Sequence, residues 1–332
     1  MQPDRQRELT AWVAGALKVA SPVLVPASAD ASFRRYFRTS AGGRSFVIMD
    51  APPPQEDCRP FVGIAGLMRD AGMHVPAVLA EDLGRGFLLL EDLGASTYLD
   101  VFKVSTADAE RLFEDALDSL VLWQKASRPG VLPPYDRALL HRELMLYPDW
   151  YVTRHLKLEL SAPEMVALQE AFRLLEDSAL SQPQVYVHRD YMPRNLMLSS
   201  PNPGVLDFQD AVQGPLSYDV ASLFKDAFLS WPAEQVTAWR RLYQERALRA
   251  GLPVPELAEF ERACDWMCMQ RHLKVMGIFA RINYRDGKPD YLKDTPRFLT
   301  YIRDTGRLYK EFTPLLRLMD NLEKRSQEVV EP

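Results

Sequence analysis

Short hydrophobic runs separated by turn residues dominate the chain up to about residue 93, and this pattern predicts strands. Four of the runs cover residues 20–28, 33–39, 44–49 and 87–90. Ala-Gly-Gly-Arg at 41–44 predicts a hairpin turn, because glycine readily adopts the positive φ angles that such turns require. Residues 61–71 instead show helical spacing, with prolines before them and Gly72 after them. The predicted order is strand, strand, strand, helix, strand, strand.

Beyond Gly94 the spacing of apolar residues becomes that of amphipathic helices. Helices are predicted over residues 106–126, 137–147, 163–180, 219–229, 233–250, 255–280 and 295–325. One β-rich interruption, at residues 185–208, breaks this helical part, and such a segment usually positions functional groups. The pattern therefore predicts an α+β fold with a small β-rich lobe over residues 1–93 and a larger helical lobe over residues 94–332.

Composition and charge narrow the class of protein. The 332 residues include 40 basic and 45 acidic ones, for a net charge of −5, and no sustained basic run suggests a nucleic-acid partner. No apolar run approaches the ~18–20 residues of a membrane span, and the first helical pattern, over residues 9–20, is amphipathic rather than signal-like. Three cysteines are too few for a disulfide scaffold, which favours a reducing, cytoplasmic location.

The β-rich interruption contains a motif that indicates phosphoryl transfer. Residues 188–195 read His-Arg-Asp-Tyr-Met-Pro-Arg-Asn, and residues 206–210 read Leu-Asp-Phe-Gln-Asp. Protein kinases carry H-R-D, four further residues, Asn, and then an Asp-Phe pair. The chemistry explains the residue types: one carboxylate accepts or orients the attacking hydroxyl, while an amide and a second carboxylate hold Mg²⁺ against the triphosphate.

With these motifs, the sequence resembles the kinase-like superfamily and, within it, the aminoglycoside phosphotransferase branch. The resemblance covers most of the chain and is carried by residues 30–38, 87–94, 188–195, 206–210 and 214–223. Within that branch it looks like the bacterial anomeric kinases of N-acetylmuramate and N-acetylglucosamine, which serve peptidoglycan recycling. The resemblance implies a bilobal protein-kinase-like fold that uses ATP and Mg²⁺ in the cleft between its lobes, with a small-molecule sugar as substrate. We expect a monomer.

The resemblance also implies roles for individual residues. Asp190 matches the catalytic base, and Asn195 and Asp207 match the metal ligands. The segment from Glu91 to Leu93 matches the hinge that meets the adenine. Asp219 matches the aspartate that braces the catalytic loop.

The sequence departs from the kinase pattern at three places where kinases bind the phosphates of ATP. Met49 stands where the third strand usually carries a lysine, Met192 also replaces a common lysine, and the loop at residues 28–38 has no glycine. The nearest cations are Arg34, Arg35, Arg38 and Arg194. Because alternate residues of a strand share a face, we expect Arg34 and Arg35 to contribute unequally to nucleotide binding.

Candidates for acceptor contacts come from two aromatic and charged segments, residues 141–151 and 150–160, which suit sugar binding but equally suit ordinary helix packing. Contacts are proposed for Glu143, Arg154, Arg271 and Asn283. Arg189 has no activation-loop phosphate to bind, so it either braces the catalytic loop or meets the acceptor. An N-acetylmuramate acceptor carries a lactyl carboxylate that an arginine fork matches.

Several alternatives remain open. A protein kinase is disfavoured because only eleven residues separate Asp207 from Asp219. Another small acceptor, of the aminoglycoside, choline or homoserine type, and a non-catalytic pseudokinase also fit the motifs. Cys264, Cys268 and His272 share one helical face, but three ligands over two turns do not close a zinc site, so core packing is expected there.

Overall fold

The computed structural model describes residues 3–29 and 33–330. The chain forms two compact units: a first unit, which extends to Trp123 and includes Pro193–Asp210, and a second unit, which comprises Gln124–Met192 and the chain from Ala211 onward. Asp190 therefore belongs to the second unit, and Asn195 and Asp207 belong to the first. The predicted lobe boundary at residue 93 is not this division and stays a prediction.

An antiparallel sheet forms the centre of the first unit. In the described part of this unit it has five strands in the order β1-β2-β3-β5-β4. Their bounds are β1 Val25–Ala29, β2 Arg35–Ala41, β3 Arg44–Asp50, β4 Val78–Asp82 and β5 Phe87–Glu91. Gly42 and Gly43 have φ angles of 58° and 78°, as the predicted hairpin requires. With helix α2 (Arg59–Asp70) between β3 and β4, the predicted order of elements is confirmed.

Helix α1 (Pro3–Leu17) covers one face of this sheet. Its Leu9 and Val13 are fully buried in a core with Phe37, Ile48 and Phe87 of the sheet. On the same face, Arg5 donates two hydrogen bonds to Asp50, at 2.9 Å from Nε and 2.5 Å from Nη2. Arg35 pairs with the second oxygen of the same buried carboxylate.

A small hairpin and a short helix complete the described part of the first unit. Strands β7 (Leu196–Met197) and β8 (Gly204–Val205) pair antiparallel. Helix α3 (Tyr98–Val104) begins at Thr97, whose side chain and that of Asp100 form a capping box. The apolar spacing along the chain did not predict this helix, because it has only seven residues.

The second unit is mainly helical. Helix α4 (Ala109–Lys125) leads into it, and a two-stranded sheet pairs β6 (Gln184–Val187) with β9 (Val212–Pro215). Its remaining α-helices are α5 Arg137–Leu144, α6 Ala162–Ser181, α7 Tyr218–Phe224, α8 Ala233–Arg249, α9 Leu257–Asp286, α10 Thr295–Leu308 and α11 Thr313–Val330. A π-helix follows α5 at Tyr147–His155, and 3₁₀ turns of this unit occur at Pro289–Asp294 and Lys310–Phe312; a further 3₁₀ turn, Pro193–Asn195, belongs to the first unit.

One long predicted helix is wrong. Residues 295–325 form two helices, α10 and α11, separated by a 3₁₀ turn. Pro314 has no backbone N–H, so it cannot bond to the carbonyl one turn earlier and a continuous helix is interrupted. At the break, Tyr309 has extended backbone angles and donates a 2.9 Å hydrogen bond to Asp265 on α9.

Helix α9 approaches the segment that joins α5 to the π-helix very closely. A Cβ atom at Gly277 would collide with the backbone of Leu146. Only glycine fits at this crossing, so the separation of the two segments is set by backbone contact.

Within the described ranges, none of the helices is both long and apolar enough to span a membrane. Cys58, Cys264 and Cys268 are free thiols and all three are buried. His272, on the same face of α9 as the last two, donates from Nε2 to the Lys225 carbonyl at 3.1 Å. Residues 3–29 and 33–330 contain no cluster of three or more histidine, cysteine or acidic side chains arranged to hold a metal ion.

The shared carboxylate of Asp50 yields a stability prediction. Asp50→Ala removes the partner of two arginines from a buried position, and we expect it to lower the free energy of unfolding by about 2–4 kcal/mol. Asp4→Ala is the control, because it breaks only the exposed pair between Asp4 and Arg7 and should cost less than about 1 kcal/mol. Urea unfolding of both variants measures the difference. Equal effects would show that the Asp50 pairs do not anchor α1.

Candidate active site

The loop with the candidate base follows strand β6 and is held by Asp219. The Asp219 carboxylate, in the first turn of α7, accepts hydrogen bonds from the backbone N–H groups of His188 (2.7 Å) and Arg189 (3.0 Å). Arg189 has a φ of 78°, a left-handed conformation that costs energy for a residue other than glycine. The backbone N–H of Asp190 then donates to Nδ1 of His188 at 3.2 Å. Asp219 thus bonds to the loop in the way the sequence analysis expected.

The environment of Asp219 changes its acidity. Its pKa is raised to about 7. Complete burial is the main cause and the charge of Asp190 adds to it, whereas the two N–H donors and the charge of Arg271 lower the pKa. Near neutral pH the carboxyl group that holds the loop is therefore partly protonated.

A second buried carboxylate, that of Glu143, forms ion pairs with two cations near the catalytic loop. It forms ion pairs with Arg189 and, at 3.1 Å, with Lys274 on α9, and it accepts a hydrogen bond from the hydroxyl of Tyr135. Burial raises the pKa of Glu143, but the charges of Lys274 and Arg189 outweigh burial and lower it. Glu143 therefore carries its charge in the folded protein and neutralises part of two cations.

Tyr218 links this group to a third cation. Lys274 Nζ donates to the Tyr218 hydroxyl at 3.0 Å, and the guanidinium of Arg271 lies 5.0 Å from the centre of the Tyr218 ring. We call the six residues Glu143, Arg189, Lys274, Tyr135, Tyr218 and Arg271 the polar cluster. Burial lowers the pKa values of Arg189, Arg271 and Lys274, but acidic neighbours that include Asp190 raise all three above their ordinary values.

The second unit thus brings together the acceptor-side residues named from the sequence, which are Asp190, Arg189, Glu143 and Arg271. Lys274 was missed, although its position three residues after Arg271 on one helix places it on the same face. Arg154 is exposed on the π-helix and Asn283 lies twelve residues beyond Arg271 on α9, and neither belongs to the polar cluster.

The candidate metal ligands lie in the first unit, around the β7–β8 hairpin. Asn195 is buried at the end of a 3₁₀ turn. Its backbone carbonyl accepts a hydrogen bond from the backbone N–H of Leu206 at 2.9 Å. Asp207 follows, with a φ of 62° and its carboxylate 34% exposed. The ring of Phe208 packs against Phe61 of α2 at 4.7 Å between centroids, which anchors the segment. An amide oxygen and a half-exposed carboxylate are donors that suit Mg²⁺, which usually takes one or two carboxylates and completes its shell with phosphate and water oxygens.

Arg34 and Arg35 lie on opposite faces of the sheet. Arg34 Nη2 is 4.0 Å from Asp207 Oδ1, and its Nε is 3.8 Å from Glu56 Oε2. Burial lowers the pKa of Arg34, but the charges of Tyr36, Asp207 and Glu56 outweigh burial, so the pKa is raised above its ordinary value. Arg35 pairs with Asp50 on the face covered by α1. Residues 30–32 of the glycine-free loop lie outside the described residues.

The predicted hinge follows strand β5. Glu91 donates its N–H to the Ala77 carbonyl at 2.9 Å, and Asp92 accepts from Arg38 Nε at 2.6 Å. Leu93 packs so closely on strand β8 that a Cβ at Gly204 would lie 2.8 Å from its Cδ1. Met49 is fully buried, so this position supplies no charge to a phosphate. The candidate hinge and the candidate metal ligands therefore belong to one compact unit.

Comparison with known proteins decides the family. A model described as the phosphotransferase enzyme family (APH) matches residues 23–261. The chain belongs to this family. Among curated relatives, proteins of Pseudomonas aeruginosa and Pseudomonas putida are 58% and 53% identical, over 90% and 96% of this chain and 88% and 97% of theirs. A protein of Neisseria meningitidis serogroup B is 46% identical over 96% of both chains, and all three are named N-acetylmuramate/N-acetylglucosamine kinase.

Solved structures confirm the predicted fold of this family member. An ADP-bound aminoglycoside phosphotransferase aligns with a TM-score of 0.59 at 14% identity, covering 92% of this chain and 99% of its own. A choline kinase from Streptococcus pneumoniae aligns with a TM-score of 0.62 at 13% identity, covering 91% and 99%. At these identities the likeness shows the kinase-like fold.

The raised pKa of Asp219 predicts a pH effect on stability. Between the unfolded pKa, near 4, and the folded value of about 7, the folded chain binds the Asp219 proton more tightly than the unfolded chain. The unfolding free energy contributed by this group therefore falls as pH rises, by at most about 1.4 kcal/mol per pH unit, and is constant above that window.

Urea unfolding of the wild type and of Asp219→Asn at several pH values isolates this contribution, because the amide does not titrate. We expect the stability difference between the two proteins to shift against the wild type from pH 4 to pH 7. A difference that is independent of pH would show that Asp219 stays charged throughout.

Proposed function

We propose that this chain is an ATP- and Mg²⁺-dependent sugar kinase that phosphorylates the anomeric hydroxyl of N-acetylmuramate and N-acetylglucosamine. The names of the relatives, at 46–58% identity over most of the chain, support this substrate pair. The observation that carries it on the structural side is the polar cluster beside Asp190, where three cations suit an acceptor with a negative group. Such an enzyme serves peptidoglycan recycling.

Asp190 acts as the base in the proposed reaction. Its carboxylate takes the proton of the hydroxyl at sugar C1, the freed oxygen forms a bond to the γ-phosphorus, and the bond from that phosphorus to the bridging oxygen of ADP breaks. ADP leaves with the electron pair. The anomeric hydroxyl is more acidic than an ordinary alcohol, so one carboxylate suffices. The bonds from His188 and Arg189 to Asp219 hold the loop of this base in one conformation.

The nucleotide side of the proposal uses residues of the first unit. Asn195 and Asp207 would hold Mg²⁺, which when bound neutralises phosphate charge as it develops. Arg34, beside Asp207, supplies the cation that Met49 does not. The backbone from Glu91 to Leu93 meets the adenine.

The charge of the polar cluster favours this acceptor over the open alternatives. Arg189, Arg271 and Lys274 bring three positive charges, against the carboxylates of Glu143 and Asp190 and the buried carboxyl groups of Asp219 and Asp226, whose pKa values are raised. A polycationic aminoglycoside would be repelled by this group, whereas an anionic sugar is attracted. A peptide acceptor is disfavoured because strand β9 and helix α7 follow Asp207 directly. The cytoplasmic location and the monomeric state stay predictions.

Phosphorus and carbon NMR of reactions with a panel of sugars tests the acceptor and the site of transfer. We expect a 1-phosphate from N-acetylmuramate and from N-acetylglucosamine, and none from kanamycin or choline. Asp190→Asn should lower kcat by roughly 10²–10⁴ while ATP binding is kept, and Asp108→Asn, an exposed residue, is the control. A 6-phosphate product, no product at all, or an Asp190→Asn variant with a third of the wild-type kcat would contradict the proposal.

The two arginines of the second strand provide a separate test of nucleotide binding. Arg34→Ala should raise the KM for ATP several-fold or lower kcat/KM by about 1–3 kcal/mol, in the range of charged hydrogen bonds. Arg35→Ala should leave the KM for ATP near the wild-type value and reduce stability instead, because it faces Asp50. ATP titrations at fixed sugar, together with urea unfolding, separate the two effects. If both variants bind ATP normally, Arg34 does not contact the phosphates.

A further inference from the structure

Arg271 is the member of the polar cluster that has no ion-pair partner. Arg189 and Lys274 both pair with Glu143. The Arg271 side chain projects from the middle of α9 and the residue is only 7% exposed. Its Nε is buried and lacks a hydrogen-bond partner among the described residues, and no described carboxylate forms an ion pair with its guanidinium.

This arrangement is costly unless a ligand uses it. A buried charge without a hydrogen-bonded partner destabilises a folded protein by several kcal/mol. Compensation for Arg271 is partial: its guanidinium lies against the face of Tyr218, and the charges of Asp190, Asp219 and Asp226 act on it without forming an ion pair. A guanidinium offers five N–H donors in a planar fork that fits a carboxylate through two parallel hydrogen bonds.

We propose that Arg271 binds the lactyl carboxylate of N-acetylmuramate and so determines how strongly the enzyme prefers this sugar over N-acetylglucosamine. The proposal rests on the proposed function, because it assigns a role within that acceptor site. The two sugars differ only in the lactyl ether at O3, whose carboxylate is the single formal charge on either acceptor. Arg271 lies in the same unit as the base Asp190. Its ring partner Tyr218 bonds to Lys274, Lys274 pairs with Glu143, and Glu143 pairs with Arg189, the residue before that base.

This assignment replaces the sequence-based expectation that Arg189 binds the lactyl carboxylate. The Arg189 guanidinium is bonded to Glu143, and its ring neighbour is Tyr135 at 5.8 Å. Arg189 therefore serves to hold Glu143 and the catalytic loop. The Nε of Arg189 is also buried without a hydrogen-bond partner among the described residues, but its Nη2 is held by Glu143, whereas Arg271 forms no ion pair with a described carboxylate.

The test compares three acceptors: N-acetylmuramate, its methyl ester, which keeps the lactyl group without its charge, and N-acetylglucosamine, which lacks the lactyl group. In the wild type, we expect kcat/KM for the acid to exceed that for the ester. Arg271→Gln should lower kcat/KM for the acid by about 10- to 100-fold, the worth of a hydrogen bond between charged groups, and change the values for the ester and N-acetylglucosamine by less than about threefold. Arg281→Gln, a partly buried arginine further along α9, is the matched control.

The outcomes separate the proposal from its rivals. An equal loss on all three acceptors, or a raised KM for ATP, would overturn it and indicate a phosphate or structural role. If Arg271→Gln does not fold, the same comparison uses Arg271→Lys, which keeps the positive charge but lacks the planar fork of donors. A wild type whose kcat/KM is the same for the acid and the ester overturns the proposal by itself.

Calorimetric binding of the same acceptors keeps this test independent of turnover. A wild type that binds the acid more tightly than the ester but phosphorylates neither sugar would leave Arg271 as the carboxylate site and refute the proposed function. Absence of any N-acetylmuramate binding would refute both.

Discussion

The acceptor side of this protein depends on the buried carboxylate of Asp219. Two consecutive backbone N–H groups, those of His188 and Arg189, donate to it, and Arg189 adopts a left-handed conformation where they do so. This conformation is unfavourable for an arginine, so the two hydrogen bonds must outweigh its cost. Once it is adopted, the side chain of Arg189 reaches Glu143 and the next residue is the candidate base. The conformation of the catalytic loop and the positions of the Arg189 and Asp190 charges therefore both depend on one hydrogen-bond acceptor, Asp219 on α7.

The polar cluster shows how a helical core tolerates several charges. Glu143 is shared by two cations and a tyrosine hydroxyl, which satisfies its oxygens and offsets most of the cost of burial. Tyr218 serves both Lys274 and Arg271, as a hydrogen-bond acceptor for one and an aromatic face for the other. These contacts leave the guanidinium of Arg271 in a buried place without an ion pair to a described carboxylate. A negative ligand gains more from such a charge there than it would at the surface.

Local patterns in the sequence predicted a large part of this structure. The hairpin at Gly42 and Gly43 and the order of strands and helix along the first unit follow from turn chemistry and periodicity, and the kinase-like fold follows from the resemblance carried by the motifs. The pairing of Glu143 with Arg189 and Lys274 did not follow, because it joins residues from α5, the catalytic loop and α9, and no local pattern records how those segments pack. The break between α10 and α11 was missed because the apolar stripe continues through Pro314. The unequal environments of Arg34 and Arg35 were expected from strand alternation, but their partners, Asp207 and Asp50, were visible only in the fold.

Gly277 places a constraint on the acceptor side without any side chain. Because α9 touches the backbone of Leu146 at this glycine, the helix that carries Arg271 and Lys274 is held in backbone contact with the segment that follows α5, the helix of Glu143. Gly277 lies about one turn from Lys274 and about two turns from Arg271, so the spacing within the polar cluster depends in part on a residue with no side chain. Evolution of a new acceptor preference in this scaffold could proceed by changing that spacing, with every charged residue left in place.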